Sequence, residues 1–564
     1  MTLISVASAF AWPQLGDGAF ALIERSLDKV ARRQGLVVLS IGLATLLLRL
    51  ALLPLFPIPS AVVANDFSFM LAADTFVHGR LTNPTPAMWT HFESIHITMQ
   101  PTYQSMYFPG EGLVLAAGTV LFGHPWFGLL AMDALMCAAI CWMLQAWLPP
   151  RWALLGGVLA ILRLGLFSYW INTYTGGGPI LALGGALVLG ALPRLKKTAR
   201  LRYGLLMAVG IVLLVLTRPY EGMLLCLPVA AALGHWAWRG KTRLRPVVLL
   251  RRAAVPLLLI VAAIAWLGYY DLRAFGKATT LPYVVNRAQY AMAPYFIWQS
   301  QRPQPNYRHI DMRRFYYENE LPFFRQIHSW SGFLPATLRK IWEALQFYAG
   351  FALLTPLLMM HRAFCDRRIR FLVWSLLVLV AGMSIMIYAI PHYLAPFTCL
   401  FYAIGLQAMR HLRLWTPENK PIGKGIVRFS VAICIFMAIL RLFTGPLNIR
   451  VPEWPLGNWS IRWYGPDPYT SEHTRIEASL EHLPGKQLVL VRPNLQRNVL
   501  DQWVYNGADI DDAKVVWAQE MDTADNLELI HYYRDRQAWL VDPNTVPARI
   551  SPYPMPEPTT GAAH

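Results

Sequence analysis

The chain has 564 residues, of which 55% are hydrophobic and only 15% charged, with a mean hydropathy of +0.37. A soluble domain carries about 25% charged residues, so this composition excludes an ordinary soluble protein and predicts a polytopic α-helical membrane protein. The net charge of +18, from 50 basic and 32 acidic residues, would suggest nucleic-acid binding in a soluble protein; its distribution along the chain gives it another meaning.

Residues 1–35 are mildly amphipathic and end in Lys29, Arg32 and Arg33, which predicts a cytoplasmic N-terminal segment. The first span is expected at 36–57. Its apolar run is longer than the roughly 7–15 residues of a signal peptide, so it reads as a retained helix. An external loop follows at 58–122. Its last part, 107–122, carries Pro109, Gly110 and Gly112 and falls short of the ~20 residues of a span, so it reads as an interfacial or re-entrant helix. Further spans are expected at 125–147, 152–168, 178–193, 204–217, 222–238, 253–270, 344–361, 371–390, 393–409 and 425–444, which makes about eleven in the module 36–444.

The charges agree with that topology. The connections placed inside, 24–33, 148–152, 194–202, 239–252, 362–370 and 410–428, hold 25 Lys/Arg against four Asp/Glu. The short outer turns 168–178, 217–222 and 390–393 hold Arg218 as their one basic residue. The basic surplus is therefore mainly a matter of orientation in the membrane, and no nucleic-acid partner is expected. The six cysteines lie in apolar runs or, for Cys365, in an inner connection, so no disulfide framework is expected.

Two more regions lie outside. The loop 271–343 is rich in aromatic residues and arginine. Residues 445–564 read as a small extracytoplasmic α/β domain, with helices at 471–482 and 523–536 and strands at 487–492, 514–518 and 538–542. Asn458, Trp459 and Ser460 match a glycosylation acceptor, and the Pro-rich stretch from Pro547 is expected to lack structure.

The chemistry is concentrated in the first external loop. Asp66, just beyond the first span, can accept a proton from a substrate held at the membrane surface; the bland alternative is a carboxylate that only anchors a loop. Sugar transfer from a polyprenyl phosphate needs such a base, a positive group for the departing phosphate and a groove for the lipid. Glu93 is a second candidate for catalysis or substrate contact. His91, Glu93 and His96 can bind a divalent metal, although their spacing fits no strict ligand motif. Arg218 can hold a phosphate with its guanidinium, or can simply pair with Glu221. His392 and Tyr393 occupy another outer turn, where a protonated His392 could hold phosphate. Asn172, Tyr174 and Glu221 are candidate sugar contacts. The glycines 176–178 allow close backbone approach but do not form a nucleotide-binding loop.

A first helix followed by an external loop with an early carboxylate resembles the GT-C superfamily of membrane glycosyltransferases. Within it the chain looks most like the bacterial family related to protein O-mannosyltransferases and the lipid A aminoarabinose transferase. Phe67 follows Asp66 where the family often has Glu. Gln100-Pro101-Thr102-Tyr103 stands where it often has Glu-Lys-Pro-Pro, which places Tyr103 near the donor phosphate but without the lysine. The resemblance implies an inverting, polyprenyl-phosphate-dependent sugar transferase of the bacterial cytoplasmic membrane, with Asp66 as base and an extracytoplasmic lipid, glycan or protein as acceptor. A lipid-linked glycan flippase, a glycan ligase or polymerase, and a non-catalytic scaffold remain as alternatives.

Overall fold

The computed structural model describes residues 1–239, 246–350, 352–444 and 471–554. Among them, five helices are long and apolar enough to cross a membrane: Gln34–Ala51, Pro125–Trp147, Gly178–Thr198, Arg251–Phe275 and Ile422–Phe443. The apolar helices Pro109–Phe122, Leu201–Thr217 and Arg370–Ser384 are shorter. The sequence suggested eleven spans, and several of those runs prove to be interrupted. The run 152–168 is helical over Pro150–Ala160 and then widens into a π-helical turn, Ile161–Gly165, around buried Arg163. The run 344–361 falls on the end of helix Trp330–Tyr348, a 3₁₀ turn at Thr355–Met359 and the short helix Met360–Cys365. The run 393–409 starts inside a 3₁₀ segment, Pro391–Phe397, whose two prolines remove backbone donors, before helix Thr398–Arg413 begins.

Glycines bring the central helices together. A Cβ on Gly184 would lie 2.9 Å from the Gly210 carbonyl oxygen, and one on Gly210 would lie 2.6 Å from that of Gly184. Gly185 faces the Pro396 carbonyl, which a Cβ would meet at 1.8 Å. No side chain fits there, so the 391–397 segment is pressed onto the Gly178–Thr198 helix. The N-terminal helix Asp17–Ala31 is tied to the other end of the bundle. Arg413 donates to both Glu24 carboxylate oxygens at 2.9 and 2.7 Å, and Arg428 pairs with Asp17 and Glu24.

The loop expected outside, 58–122, is more ordered than its sequence suggests. Residues Ala64–Val77 form a helix whose N-cap is Val63, with Asp66 in the first turn accepting from the Val63 N–H. Further on, β1 (Ile97–Thr98) pairs antiparallel with β2 (Gln104–Ser105).

The C-terminal part is the expected small α/β unit. Strands β3 (Lys486–Val491), β4 (Val515–Gln519) and β5 (Arg536–Asp542) are parallel, and helices Glu472–Glu481 and Thr523–Tyr532 flank them. The stretch after Pro547, expected to be unstructured, supplies an antiparallel edge strand, β6 (Arg549–Pro552), giving the order β4-β3-β5-β6. The Asn458–Ser460 triplet lies outside the described residues.

This sheet packs on both faces, one of them against the segment 64–105. Strand residues alternate between faces. Val489, Val491, Trp517 and Val541 pack with Leu480 and Trp503 on one side. On the other, Leu488, Leu490, Val516 and Ala518 share a core with Leu71, Phe92, Ile97, Met99 and Tyr103 of the loop 58–122. Polar contacts lock the joint. Arg80 donates two 2.7 Å bonds to Asp509, Ser94 Oγ donates to the Val504 carbonyl at 2.7 Å, and the Ala64 N–H donates to that of Leu500 at 3.0 Å.

Candidate active site

Asp66 is 1% exposed and accepts four hydrogen bonds. The Val62 and Val63 amides donate to Oδ2 at 3.2 and 3.4 Å. The Tyr174 amide donates to Oδ1 at 3.2 Å, and the Thr175 hydroxyl donates to the same oxygen at 2.5 Å. A carboxylate has about four acceptor positions, so all of them are filled. Burial pushes the Asp66 carboxyl above the usual carboxylate range, and the bonds from Thr175, Val62, Val63 and Tyr174 oppose that shift in part.

Thr175 leads into the Gly176-Gly177 turn, where both glycines have positive φ, 91° and 64°. Three buried side chains close around this turn, each with a polar atom that has no partner. A Cβ on Gly176 would meet the His392 ring at 2.4 Å. A Cβ on Gly177 would lie 2.9 Å from the Thr217 Cγ2 and 3.2 Å from Glu111 Oε2. The unpartnered atoms are His392 Nε2, Thr217 Oγ1 and Glu111 Oε2. Buried polar atoms without partners are costly; His392 Nε2 and Glu111 Oε2 face this turn, while Thr217 turns its methyl to Gly177 and its hydroxyl toward Gly110.

His392 is held by Tyr169, whose hydroxyl accepts the His392 backbone N–H at 3.0 Å and lies 2.8 Å from Nδ1. With that hydroxyl donating to Nδ1, the ring proton sits on Nε2, and His392 offers one free N–H. Burial, with Arg218 nearby, pushes the imidazole well below its ordinary range. The sequence offered His392 as a phosphate holder if protonated; burial works against that protonation, and with Tyr169 donating to Nδ1 the ring still donates from Nε2.

Arg218 lies 3.7 Å above the Tyr393 ring and donates to Glu221 Oε1 at 3.2 Å. Glu221, expected as a sugar contact, is thus the arginine's partner. Glu111 stands in the first turn of helix Pro109–Phe122 and is 1% exposed. Burial pushes its carboxyl well above the ordinary range, against the Gly177 amide and Arg218.

Beside this cluster an apolar cavity of about 310 Å³ opens between helices Trp330–Tyr348, Arg370–Ser384 and Thr398–Arg413. Its wall includes Tyr348, whose hydroxyl donates to the Pro391 carbonyl at 2.9 Å, one residue before His392.

Other candidates from the sequence lie elsewhere or are already engaged. Tyr103 donates to the Asn506 carbonyl at 2.8 Å, inside the joint with the C-terminal sheet. The Tyr174 hydroxyl donates to the Pro59 carbonyl at 3.0 Å, while its backbone amide serves Asp66. Asn172 accepts from Arg49 at 3.0 Å and donates to the Leu166 and Ser168 carbonyls. Glu93 accepts from Tyr290 at 3.1 Å and from Arg308 at 3.3 Å, in a separate polar pocket.

The residues proposed for a metal do not fit one. His91 Nδ1 faces the Gln519 carbonyl at 3.1 Å, His96 Nδ1 faces the Tyr107 hydroxyl at 3.2 Å, and Glu93 is tied to Arg308. Among the described residues no three His, Cys, Asp or Glu side chains gather in a metal-binding group. Burial, with Arg287 nearby, lowers the His96 imidazole to about 3.

Thr175, Thr217 and Glu111 were missed. Glu111 carried a signal, as an acidic residue in a short apolar helix beside Gly110 and Gly112; the two threonines carried none.

No protein family and no curated protein matches the chain by sequence. Among solved structures it is similar to ArnT from Cupriavidus metallidurans bound to undecaprenyl phosphate. The identity is 13%, over 90% of this chain and 92% of that one, with a TM-score of 0.48. The apo state of the same protein gives 12%, 91% and 93%, and 0.48. The Archaeoglobus fulgidus oligosaccharyltransferase in complex with Zn and sulfate gives 12%, 90% and 67%, and 0.46.

Proposed function

We propose that this chain is a membrane glycosyltransferase that moves a sugar from a polyprenyl-phosphate donor to an extracytoplasmic acceptor, with inversion at the anomeric carbon. The reading places it in the bacterial cytoplasmic membrane with its N-terminus inside. The observation that carries it is the turn at 175–178. It joins Asp66 on one side to His392, Thr217 and Arg218 on the other, beside an apolar cavity.

The isoprenoid tail would lie in that cavity. Its phosphate would take up the free His392 Nε2–H, with the Arg218 charge close by. The acceptor hydroxyl replaces Thr175 as a donor to Asp66 Oδ1. Its oxygen then bonds to the anomeric carbon as the carbon–oxygen bond to phosphate breaks. The electron pair leaves with the phosphate, and the acceptor proton passes to Asp66.

The test uses the purified chain in lipid, a panel of radiolabelled polyprenyl-phosphate monosaccharides and a membrane extract as acceptor. Wild type transfers label from one donor, and Asp66→Asn loses about 10²–10⁴-fold of the rate. Equal rates would remove Asp66 from the chemistry. Donor that crosses vesicle membranes chemically intact, with no transfer, would replace the transferase reading with a flippase.

A further inference from the structure

A second pocket, of about 240 Å³, lies outside the cluster around Asp66, between the first external loop, helix Pro282–Tyr290 and residues 305–312. Its walls are unlike those of the lipid cavity. The Arg308 guanidinium lies 4.8 Å over the Trp89 ring and reaches both Glu93 oxygens at 3.3 Å. The Tyr290 hydroxyl donates to Glu93 Oε1 at 3.1 Å. The Glu93 side chain is 4% exposed and that of Arg308 is 43% exposed, so the carboxylate is neutralised in place while the guanidinium stays at the rim. Gln289 donates from Nε2 to the Gln100 carbonyl at 2.6 Å, which leaves its Oε1 buried without a partner.

This combination matches a pyranose. A sugar ring presents an apolar C–H face to an aromatic surface, and hydroxyls around its edge that both donate and accept. Trp89 offers the part of its ring that Arg308 leaves uncovered, Arg308 offers the donors not spent on Glu93, and Gln289 offers an unfilled acceptor. The Arg308–Glu93 pair cancels in charge and the amides are neutral, which favours a neutral sugar over an acidic one. The volume lies below the roughly 300–1,000 Å³ of sites for drug-sized ligands and suits a single ring. The pocket also connects to the catalytic helix: Tyr290 and Met312 pack in one cluster with Ala64, two residues before Asp66.

Resting on the transferase reading, we infer that this pocket binds a neutral hexose unit of the acceptor, so that the acceptor is a glycan or glycolipid. Trp89, Arg308 and Gln289 hold the ring, and Glu93 is a positioning residue that fixes Arg308.

The test reads binding without any donor. Methyl glycosides of glucose, galactose and mannose, with glucuronate as the acidic control, are titrated into the purified full-length protein by saturation-transfer NMR. At least one neutral glycoside binds saturably and more tightly than glucuronate. Trp89→Ala and Arg308→Ala each weaken it about tenfold or more, as expected for one lost stacking surface or charge-assisted bond. Trp89→Tyr keeps most of the affinity. Arg308 lies at the rim, so its variant keeps the test open if Trp89→Ala fails to fold. No saturable binding to the wild type, tighter binding of glucuronate, or unchanged affinity in Arg308→Ala overturns the assignment. The two readings fail separately. A wild type that binds glycoside but transfers from no donor loses the transferase reading and keeps the pocket. Transfer that is equally efficient in wild type and Arg308→Ala removes the pocket as an acceptor site.

Discussion

Asp66→Asn changes one oxygen to an amino group, and the structure says which orientation it takes. If the new amide nitrogen faced Val62 and Val63, two backbone donors would lose their acceptor. If it faces Tyr174 and Thr175, the Thr175 hydroxyl can rotate to accept from it, and only the Tyr174 N–H is left without a partner. The second orientation is preferred. One buried unpaired donor costs about 1–3 kcal/mol. That loss falls on the turn at 173–178, which is tied to the Ala64–Val77 helix through this carboxylate. Hydrogen exchange of the purified protein, with peptides covering 173–178, is the direct assay. Exchange governed by local opening should speed up about 5- to 150-fold there. Peptides from β3 and β5 should not change. Unaltered exchange at 173–178 would refute the bonding described for Asp66. Unaltered transfer would separately refute its role as base. The raised Asp66 carboxyl adds a pH consequence. A base must be ionised to act, so the acid limb of the transfer rate should lie above the ordinary carboxylate range near 4, and a limb at or below it would contradict the burial argument.

Three further outcomes follow. Gly176→Ala places a Cβ 2.4 Å from the His392 ring at a φ of +91°, so transfer should fall at least about tenfold while the C-terminal sheet keeps its exchange protection; an active variant would show that the turn is free to move. Leu490→Ala empties part of the core shared by β3 and the first external loop and should cost about 2–5 kcal/mol; faster exchange confined to the C-terminal sheet, sparing 97–106, would show two separate cores. His96 is neutral when folded, with its imidazole lowered to about 3 from 6.5. Between those values the unfolded chain binds the extra proton, so the stability contributed by the buried neutral ring is lost as pH falls from 6.5 towards 3. Exchange of peptides spanning 94–107 should therefore quicken over that window, and His96→Gln should flatten the response.

The sequence determined what composition and charge control. Its apolar runs predicted a membrane protein, and the lysines and arginines on one set of connections gave an expected orientation. The β-rich segments after residue 485 fell close to the observed strands, because short continuous apolar runs bounded by polar turns leave a clear trace of strands buried on both faces. Asp66 stood out as the first carboxylate beyond the first span. The wider site was not legible, since its members come from distant parts of the chain and owe their meaning to contact. Thr175 matters because it reaches Asp66, and Glu111 because Gly177 has no side chain to cover it. His392 matters because Tyr169 orients its ring. The same holds for the candidates that moved elsewhere. Tyr103 looked like a donor contact until the C-terminal sheet was seen to cover it, and Glu93 looked like a metal ligand until Arg308 was seen beside it. The interrupted helices near Arg163 and Pro391 also read as continuous spans, because hydropathy averages over a run and does not register where backbone hydrogen bonding breaks. A local pattern can specify an element and the face it buries. Only packing decides which buried polar atoms keep partners, and at the 175–178 turn those that lack them, His392 Nε2 and Glu111 Oε2 among them, mark the candidate site.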